Sequence, residues 1–191
     1  MTYFAAIAIP VEIGAELGSQ LGAIRFGSGY RAEHVDRYHV TLAYYGLVED
    51  SELVALKHHL EEAANRSAPF SLRLSSLGTF PNAAVIWAGV KGDVSALRQL
   101  RQLVTKSTAS IGTASENPGG PVTTFRPHVT VARYAPELID PNEASSHLRT
   151  HVSTEPFRVE SFSLYQTVKG EYLTRFTQHL GAHRIPSRDS R

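Results

Sequence analysis

Apolar and polar positions along the chain separate into short apolar runs and longer segments with helical spacing. The first run, TYFAAIAI, is apolar throughout and ends just before Pro10, which predicts a buried strand. The next segment, VEIGAELGSQLGAIR, repeats aliphatic residues every three or four positions, and a proline suits a helix start. The chain therefore opens with a strand and an amphipathic helix.

The same kinds of element continue through the first half. The glycine-bearing segment 26–36 is predicted to be a loop, and YHVTLAYY after it to be a strand. Asp50 or Ser51 can cap a second helix with leucines on one face. PFSLRLSSLGTF and AVIWAGV then predict two strands joined by a tight Pro-Asn turn.

The second half brings a similar series. Asp93 opens a third helix that Gly112 is placed to end, and residues 113–124 predict a flexible surface loop. PHVTVARY predicts a strand, and Asp140 caps a short helix through Arg149. PFRVESFSLYQT and EYLTRFTQHL predict a final hairpin.

Two landmarks recur at nearly the same spacing and indicate an internal repeat. His39 and His128 lie 89 positions apart (128 minus 39), and each is followed by Val-Thr. Pro69 and Pro156 each open a Pro-Phe strand, 87 positions apart (156 minus 69). Such self-similarity favours a duplicated β-α-β-α-β unit, with two related lobes and a cleft between them.

Chain length fits one domain built from two such lobes. We expect a single bilobal domain over residues 1–185, with pseudo-repeats at about 1–83 and 84–180. The polar end, 186–191, is predicted to be a flexible tail.

Composition narrows the function classes. With 42% hydrophobic and 19% charged residues, the chain is typical of a soluble globular protein, and we expect it in the cytoplasm without a membrane segment. The absence of cysteine excludes disulfides and thiolate metal sites. A formal net charge of +1 argues against coating long nucleic acid, although one strand end could still be bound.

The repeated His-x-Thr pattern carries the candidate chemistry. Strand side chains alternate between faces, so His39 and Thr41 share one face, as do His128 and Thr130. If the lobes face each other, two imidazoles and two hydroxyls converge on one point.

That arrangement suits a phosphodiester. One imidazole can take a proton from attacking water while the other protonates the departing oxygen, and the pKa of imidazole, about 6.5, suits both roles. The threonine hydroxyls can donate to non-bridging oxygens, so no metal or cofactor is required. The residues alone leave open which histidine is the acid.

Two further positions are candidates for substrate binding. Arg133 follows His128 by five residues, so strict alternation places it on the opposite face; it reaches the phosphate only if a bulge lies near Ala132. The matching residue of the first copy is Tyr44, which could stack on a base. Five other cations could rim the cleft, although scattered cations usually lie on the surface: Arg31, Arg37, Arg126, Lys169 and Arg175.

These motifs are similar to those of a known superfamily. HVTL after Tyr38 and HVTV after Pro127 resemble the paired HxTx motifs of the 2H phosphoesterases. The flanks FAAIAIP, GTFP, VIWAGV and RPHVTVAR resemble, more narrowly, the RNA 2′,3′-cyclic phosphodiesterase family, also called 2′-5′ RNA ligase-like. Relatives often carry asparagine where this chain has Tyr38, a change expected to affect only how His39 is held.

The resemblance implies an α+β, LigT-like fold of two antiparallel-rich sheets flanked by helices, with the active site in the central cleft. It implies metal-independent hydrolysis of 2′,3′-cyclic phosphates at RNA 3′ ends or on small nucleotides, leaving a 2′-phosphate. His39 would be the proton donor and His128 the proton acceptor. We expect a monomer that needs no protein partner.

Two alternatives remain open at this stage. The same residues could join a 2′,3′-cyclic phosphate end to a 5′-hydroxyl through a 2′-5′ bond, since an RNA hydroxyl would only replace water. The second alternative is a non-catalytic module that binds RNA ends. Binding alone, however, requires cationic side chains more than it requires a paired acid and base.

Overall fold

A computed structural model describes residues 2–22, 28–106, 125–139 and 151–181, and these form an α+β fold. The described strands, in chain order, are β1 (Thr2–Ala8), β2 (Tyr30–Ala32), β3 (His39–Gly46), β4 (Phe70–Phe80), β5 (Val85–Gly92), β6 (His128–Tyr134), β7 (Phe157–Val159), β8 (Ser161–Val168) and β9 (Glu171–His179). The helices are α1 (Val11–Gly22), α2 (Asp50–Asn65) and α3 (Val94–Lys106). Short 3₁₀ turns span Val35–Arg37 and Pro81–Ala83.

Each helix buries its aliphatic face against the sheet, as the periodicity predicts. On α3, Leu97, Leu100 and Val104 are fully buried, and the Tyr45 hydroxyl of β3 donates to the Val104 carbonyl at 3.5 Å. Burying such side chains contributes roughly 1.5–3 kcal/mol each, so the helices are fixed mainly by packing.

The start of α2 differs from the prediction. Its N-cap is Glu49 rather than Asp50 or Ser51, because Glu49 and Glu52 form a reciprocal capping box. The Glu49 backbone N–H donates to the Glu52 carboxylate at 2.8 Å, and the Glu49 side chain accepts from the Glu52 backbone. This pairing satisfies backbone donors that a single hydroxyl or carboxylate cap would leave free.

The described strands form one antiparallel sheet. Its order is β7-β4-β5-β6-β3-β1-β8-β9, with β2 paired to β6. The α+β fold class is confirmed, and the two predicted sheets are continuous through the single residue pair Val40–Val129 of β3 and β6. The two histidine-bearing strands are therefore neighbours at the middle of the sheet.

The strand order is symmetric about that central pair. On one side β3 pairs with β1 and β1 with β8; on the other β6 pairs with β5 and β5 with β4. β4 follows β3 in the chain but lies in the half of β6, while β8 lies in the half of β3. Each half thus contains a strand from the other part of the chain.

Two element predictions are wrong. Segment 26–36 is not all loop, because Tyr30–Ala32 forms β2 and pairs with β6, where the rings of Tyr30 and Tyr134 lie 6.1 Å apart. PFRVESFSLYQT is not one strand, since it breaks at Glu160 into β7 and β8, which lie in different halves of the sheet.

Several predictions fall outside the described residues. They are the end of the third helix at Gly112, the loop 113–124, the helix from Asp140 to Arg149, and the tail 186–191. Within the described part of the chain, no helix combines the length and the apolar character needed to cross a membrane. The cytoplasmic location and monomeric state stay predictions.

Candidate active site

The two His-x-Thr motifs lie on adjacent strands and open to the same face of the sheet. In both β3 and β6 the histidine and threonine are half-buried, while the valine between them is buried. The side chains of His39, Thr41, His128 and Thr130 all line one cleft of about 1040 Å³. The convergence expected from strand alternation is present.

A β-bulge follows each motif and brings a further side chain to the cleft. Register shifts leave Leu42 of β3 without a partner on β1, and Val131 of β6 without a partner on β5. Each bulge inserts one residue into the alternation, so Tyr44 and Arg133 return to the face of the histidines. Both line the cleft, and the bulge that Arg133 required is present one residue before Ala132.

Each imidazole is fixed by a backbone carbonyl two residues before it. Nδ1 of His39 lies 2.7 Å from the Arg37 oxygen, and Nδ1 of His128 lies 2.7 Å from the Arg126 oxygen. Since a carbonyl only accepts, both Nδ1 atoms carry the proton in this arrangement. Nε2 of each ring is then the atom that can take up or release a proton.

Aromatic rings surround both imidazoles. His39 lies 5.3 Å from the Phe4 ring and 5.5 Å, edge-on at 89°, from the Tyr172 ring. His128 lies 4.9 Å, edge-on at 82°, from the Phe80 ring. These rings fix each imidazole and shield it from water on one side.

This burial lowers the pKa of both histidines. For His39, desolvation is the largest cause, and the positive charge of His128 lowers the pKa further. The hydrogen bond to the Arg37 carbonyl and the negative charge of Glu33 raise the pKa and partly oppose this shift. For His128 desolvation again lowers the pKa, and the Arg126 carbonyl opposes it. The mutual effect of two charged imidazoles disfavours protonating both at once, which suits one acid and one base.

The charge of the cleft favours phosphate. Its described lining includes four arginines and one carboxylate, Glu33, for a formal charge of +3 (four minus one), although the whole chain carries only +1. Clefts with one sign of charge concentrate ligands of the opposite sign. The lining arginines are Arg37, Arg101, Arg126 and Arg133.

Donors for phosphate oxygens are available beside the imidazoles. The hydroxyls of Thr41 and Thr130 make no hydrogen bond to any described residue. Arg133 donates through Nε to Glu33 at 3.1 Å, while its two terminal amino groups contact no acceptor in the described ranges. A phosphate group would satisfy these donors.

Two of the five possible rim cations, Arg37 and Arg126, line the cleft, and both belong to an Arg-x-His pattern; Arg31, Lys169 and Arg175 are not among its lining residues. Other cleft residues were not predicted, because they come from distant elements and nothing local marks them; they include Phe4, Glu33, Phe80 and Tyr172.

No group of three or more histidine, aspartate or glutamate side chains in the described ranges is arranged to hold a metal ion. His58, one of a histidine pair on α2, is exposed and lies 3.9 Å from Glu61, as expected for a solvated helix face.

Comparison with solved structures defines the fold class. The Escherichia coli LigT complex with 3′-AMP superimposes with a TM-score of 0.75 at 24% identity, covering 94% of this chain and 97% of that one. A Thermus thermophilus protein gives 0.68 at 25% identity, covering 95% and 98%. The fold is that of the LigT-like phosphoesterases.

Sequence comparison gives the family. The profile of the 2′-5′ RNA ligase superfamily matches residues 13–171, and the chain belongs to that superfamily, which confirms the resemblance. An RNA 2′,3′-cyclic phosphodiesterase of Geobacillus stearothermophilus is 30% identical over 176 residues, 86% of this chain and 52% of the relative. One of the same name from Archaeoglobus fulgidus is 27% identical over 73% of this chain and 78% of its own length. The chain spans about half the length of three of the curated relatives that it matches.

Proposed function

We propose that the protein hydrolyses 2′,3′-cyclic phosphates, at RNA 3′ ends or on small nucleotides, to 2′-phosphates without a metal ion. The observation that carries the proposal is the convergence of two identically held imidazoles and two threonine hydroxyls in one positively charged cleft. The names of the curated relatives support the same activity.

The reaction requires one proton to be taken up and another released. Nε2 of His128 accepts a proton from water as its oxygen bonds to phosphorus. The bond from phosphorus to the 3′ oxygen breaks, and Nε2 of His39 donates a proton to that oxygen. The products are a 2′-phosphomonoester and a 3′-hydroxyl.

The assignment of donor and acceptor rests on the family resemblance, since the two motifs have the same local geometry. The charges around the rings do not decide the assignment: the positive charges of His128 and Arg37 lower the pKa of His39, whereas the negative charge of Glu33 raises it.

Binding groups flank the reacting centre. Thr41 and Thr130 would donate to the non-bridging oxygens, and Arg133 would stabilise the negative charge that develops on them. Tyr44, at the equivalent position in the other half, would stack on a base and contribute roughly 1–3 kcal/mol to binding.

The test is a panel of 2′,3′-cyclic nucleotides in excess EDTA, with the product phosphate located by ³¹P NMR. We expect turnover to 2′-phosphates that chelation does not reduce. Loss of activity under EDTA would contradict the metal-free mechanism, and binding without turnover would indicate an RNA-end binding module. A lengthened product from RNA ends incubated with excess enzyme would indicate ligation.

A further inference from the structure

Glu33 is an unexpected residue for a site that binds an anion. It is the one carboxylate among the described residues lining the cleft. A negative charge near a bound phosphate weakens binding by repulsion. We therefore expect Glu33 to have a role that compensates for this repulsion, and its contacts indicate that role.

The carboxylate is firmly placed beside Arg133. Glu33 Oε1 lies 3.1 Å from Arg133 Nε and 3.8 Å from an amino group of Arg31. The Glu33 side chain is only 15% exposed, against 47% for Arg133 and 74% for Arg31. The Glu33 backbone N–H also donates to the Val131 carbonyl at 2.9 Å, which attaches it to the β6 bulge.

This geometry fixes the Nε edge of the Arg133 guanidinium and leaves its two amino groups available for a ligand. Nε of Arg133 is engaged, whereas its terminal amino groups contact no acceptor in the described ranges. Because the guanidinium is planar, holding Nε orients both amino groups together. We propose that Glu33 is a positioning residue that acts through Arg133 and holds its amino groups ready for the phosphate.

This inference rests on the proposed function and adds a residue that the sequence motifs do not contain. The cyclic phosphate of the substrate carries one negative charge, while the pentacoordinate transition state carries more on the same oxygens. A correctly held guanidinium therefore contributes more to the transition state than to substrate binding. The weaker substrate binding caused by the Glu33 carboxylate is therefore offset by stronger stabilisation of the transition state.

The first test compares Glu33→Gln with Glu33→Asp. Glutamine has the shape of glutamate but no charge. Aspartate has the charge, but its side chain is one methylene shorter and does not reach Arg133 Nε in the same way. We expect both to lower kcat by about 10-fold with little change in KM. An Asp variant equal to wild type would show that charge alone matters and would overturn the positioning role.

The matched control is Glu160→Gln. Glu160 pairs with Arg158 Nε at 3.2 Å in the same geometry, but both side chains are exposed and neither lines the cleft. We expect no change in kcat or KM. An equal loss in this control would mean that the Glu33 result does not depend on the cleft.

A double-mutant comparison tests action through Arg133. In the Arg133→Ala background, Glu33→Gln should have no further effect on kcat measured at the pH optimum of each variant, because the group it positions is gone. Each optimum is used because Glu33 also raises the pKa of His39. The same 10-fold loss in both backgrounds would overturn the inference, as would a Glu33→Gln variant with wild-type kcat.

Inorganic phosphate binding, measured by calorimetry, separates this inference from the proposed function. Absence of wild-type turnover would contradict the function. The phosphate dianion carries more negative charge on its oxygens than the cyclic phosphate does, as the transition state does, so Glu33→Gln should still weaken its binding, and only when Arg133 is present. Equal weakening in both backgrounds would overturn the inference. If Glu33→Gln does not fold, the test is hydrogen exchange of the Arg133 Nε–H with water in the wild-type protein, followed by NMR. Slow exchange is expected because Glu33 holds this group, and rapid exchange would contradict the inference.

Discussion

At the scale of single residues, both histidines of the site are held by the same local arrangement. Each histidine donates Nδ1–H to the carbonyl two residues earlier, at 2.7 Å in both copies, and presents Nε2 to the cleft. The sequence predicted both histidines and threonines, because strand alternation is a local property. It could not predict the aromatic rings around them, which come from distant strands.

Replacing either histidine tests the proposed acid–base pair. We expect His39→Ala and His128→Ala each to lower kcat by about 10²–10⁴, the usual contribution of general acid–base catalysis. The double variant should lose much less than the product of the two losses, because the pair acts as a unit. His58→Ala, an exposed histidine on α2, is the control. Wild-type turnover by either single variant would refute its role.

The pH dependence follows from the lowered pKa of both imidazoles. The charged groups that act on the pKa of His39 are His128, Glu33 and Arg37. One imidazole must be protonated and the other neutral, and protonated imidazole is lost as pH rises through a pKa below the ordinary value. The bell-shaped profile of kcat/KM should therefore centre below about pH 6.5. A maximum above about pH 7.5 would contradict the environment described for these rings.

At the scale of elements, the bulges decide which residues reach the cleft. The sequence showed that Arg133 needs a bulge, but a bulge depends on how β5 and β6 pair, and pairing register is not a local property. The matching bulge at Leu42 brings Tyr44 to the cleft in the same way. For the same reason β2 was missed, since three residues form a strand only through their pairing with β6.

The β4–β5 pair supports His128 through a tryptophan packed on a glycine. Gly78 pairs with Trp87, and a Cβ added at Gly78 would overlap the indole ring. Trp87 lies 5.3 Å from Phe80 and 6.3 Å from His128. We expect Gly78→Ala to destabilise the protein by about 1–3 kcal/mol and to lower kcat, because the displaced indole disturbs the rings around His128.

Tryptophan fluorescence measures that displacement directly, since the chain has a single tryptophan. Denaturant unfolding gives the change in free energy. Gly22→Ala is the control, because a Cβ there meets no atom of the described residues within 4 Å apart from its chain neighbours and the backbone of its own helix. Unchanged emission and stability in Gly78→Ala would contradict the packing described.

At the scale of the whole molecule, the two halves are related by more than their motifs. The strand order is symmetric about the Val40–Val129 pair, and both histidine strands carry a bulge at the same position. We propose that the chain is a duplicated unit whose copies exchanged their third strands. The sequence indicated the repeat but not the exchange, because strand pairing is not a local property of the sequence.

The exchange predicts that the repeats do not fold alone. A fragment of residues 1–83 contains β4 but neither of its partners, β5 and β7, and it lacks β8 beside β1. We expect fragments 1–83 and 84–180 to show no cooperative melting by circular dichroism when separate, and to regain it when mixed. Cooperative melting of either fragment as a monomer would contradict the exchange.

One phosphate is expected to lie between both imidazoles. The most direct measurement is a titration of ¹⁵N-histidine-labelled protein with inorganic phosphate, with the His39 and His128 signals assigned from their alanine variants. We predict that both Nε2 resonances shift along one saturation curve. Movement of only one resonance, or two curves with different midpoints, would contradict the account.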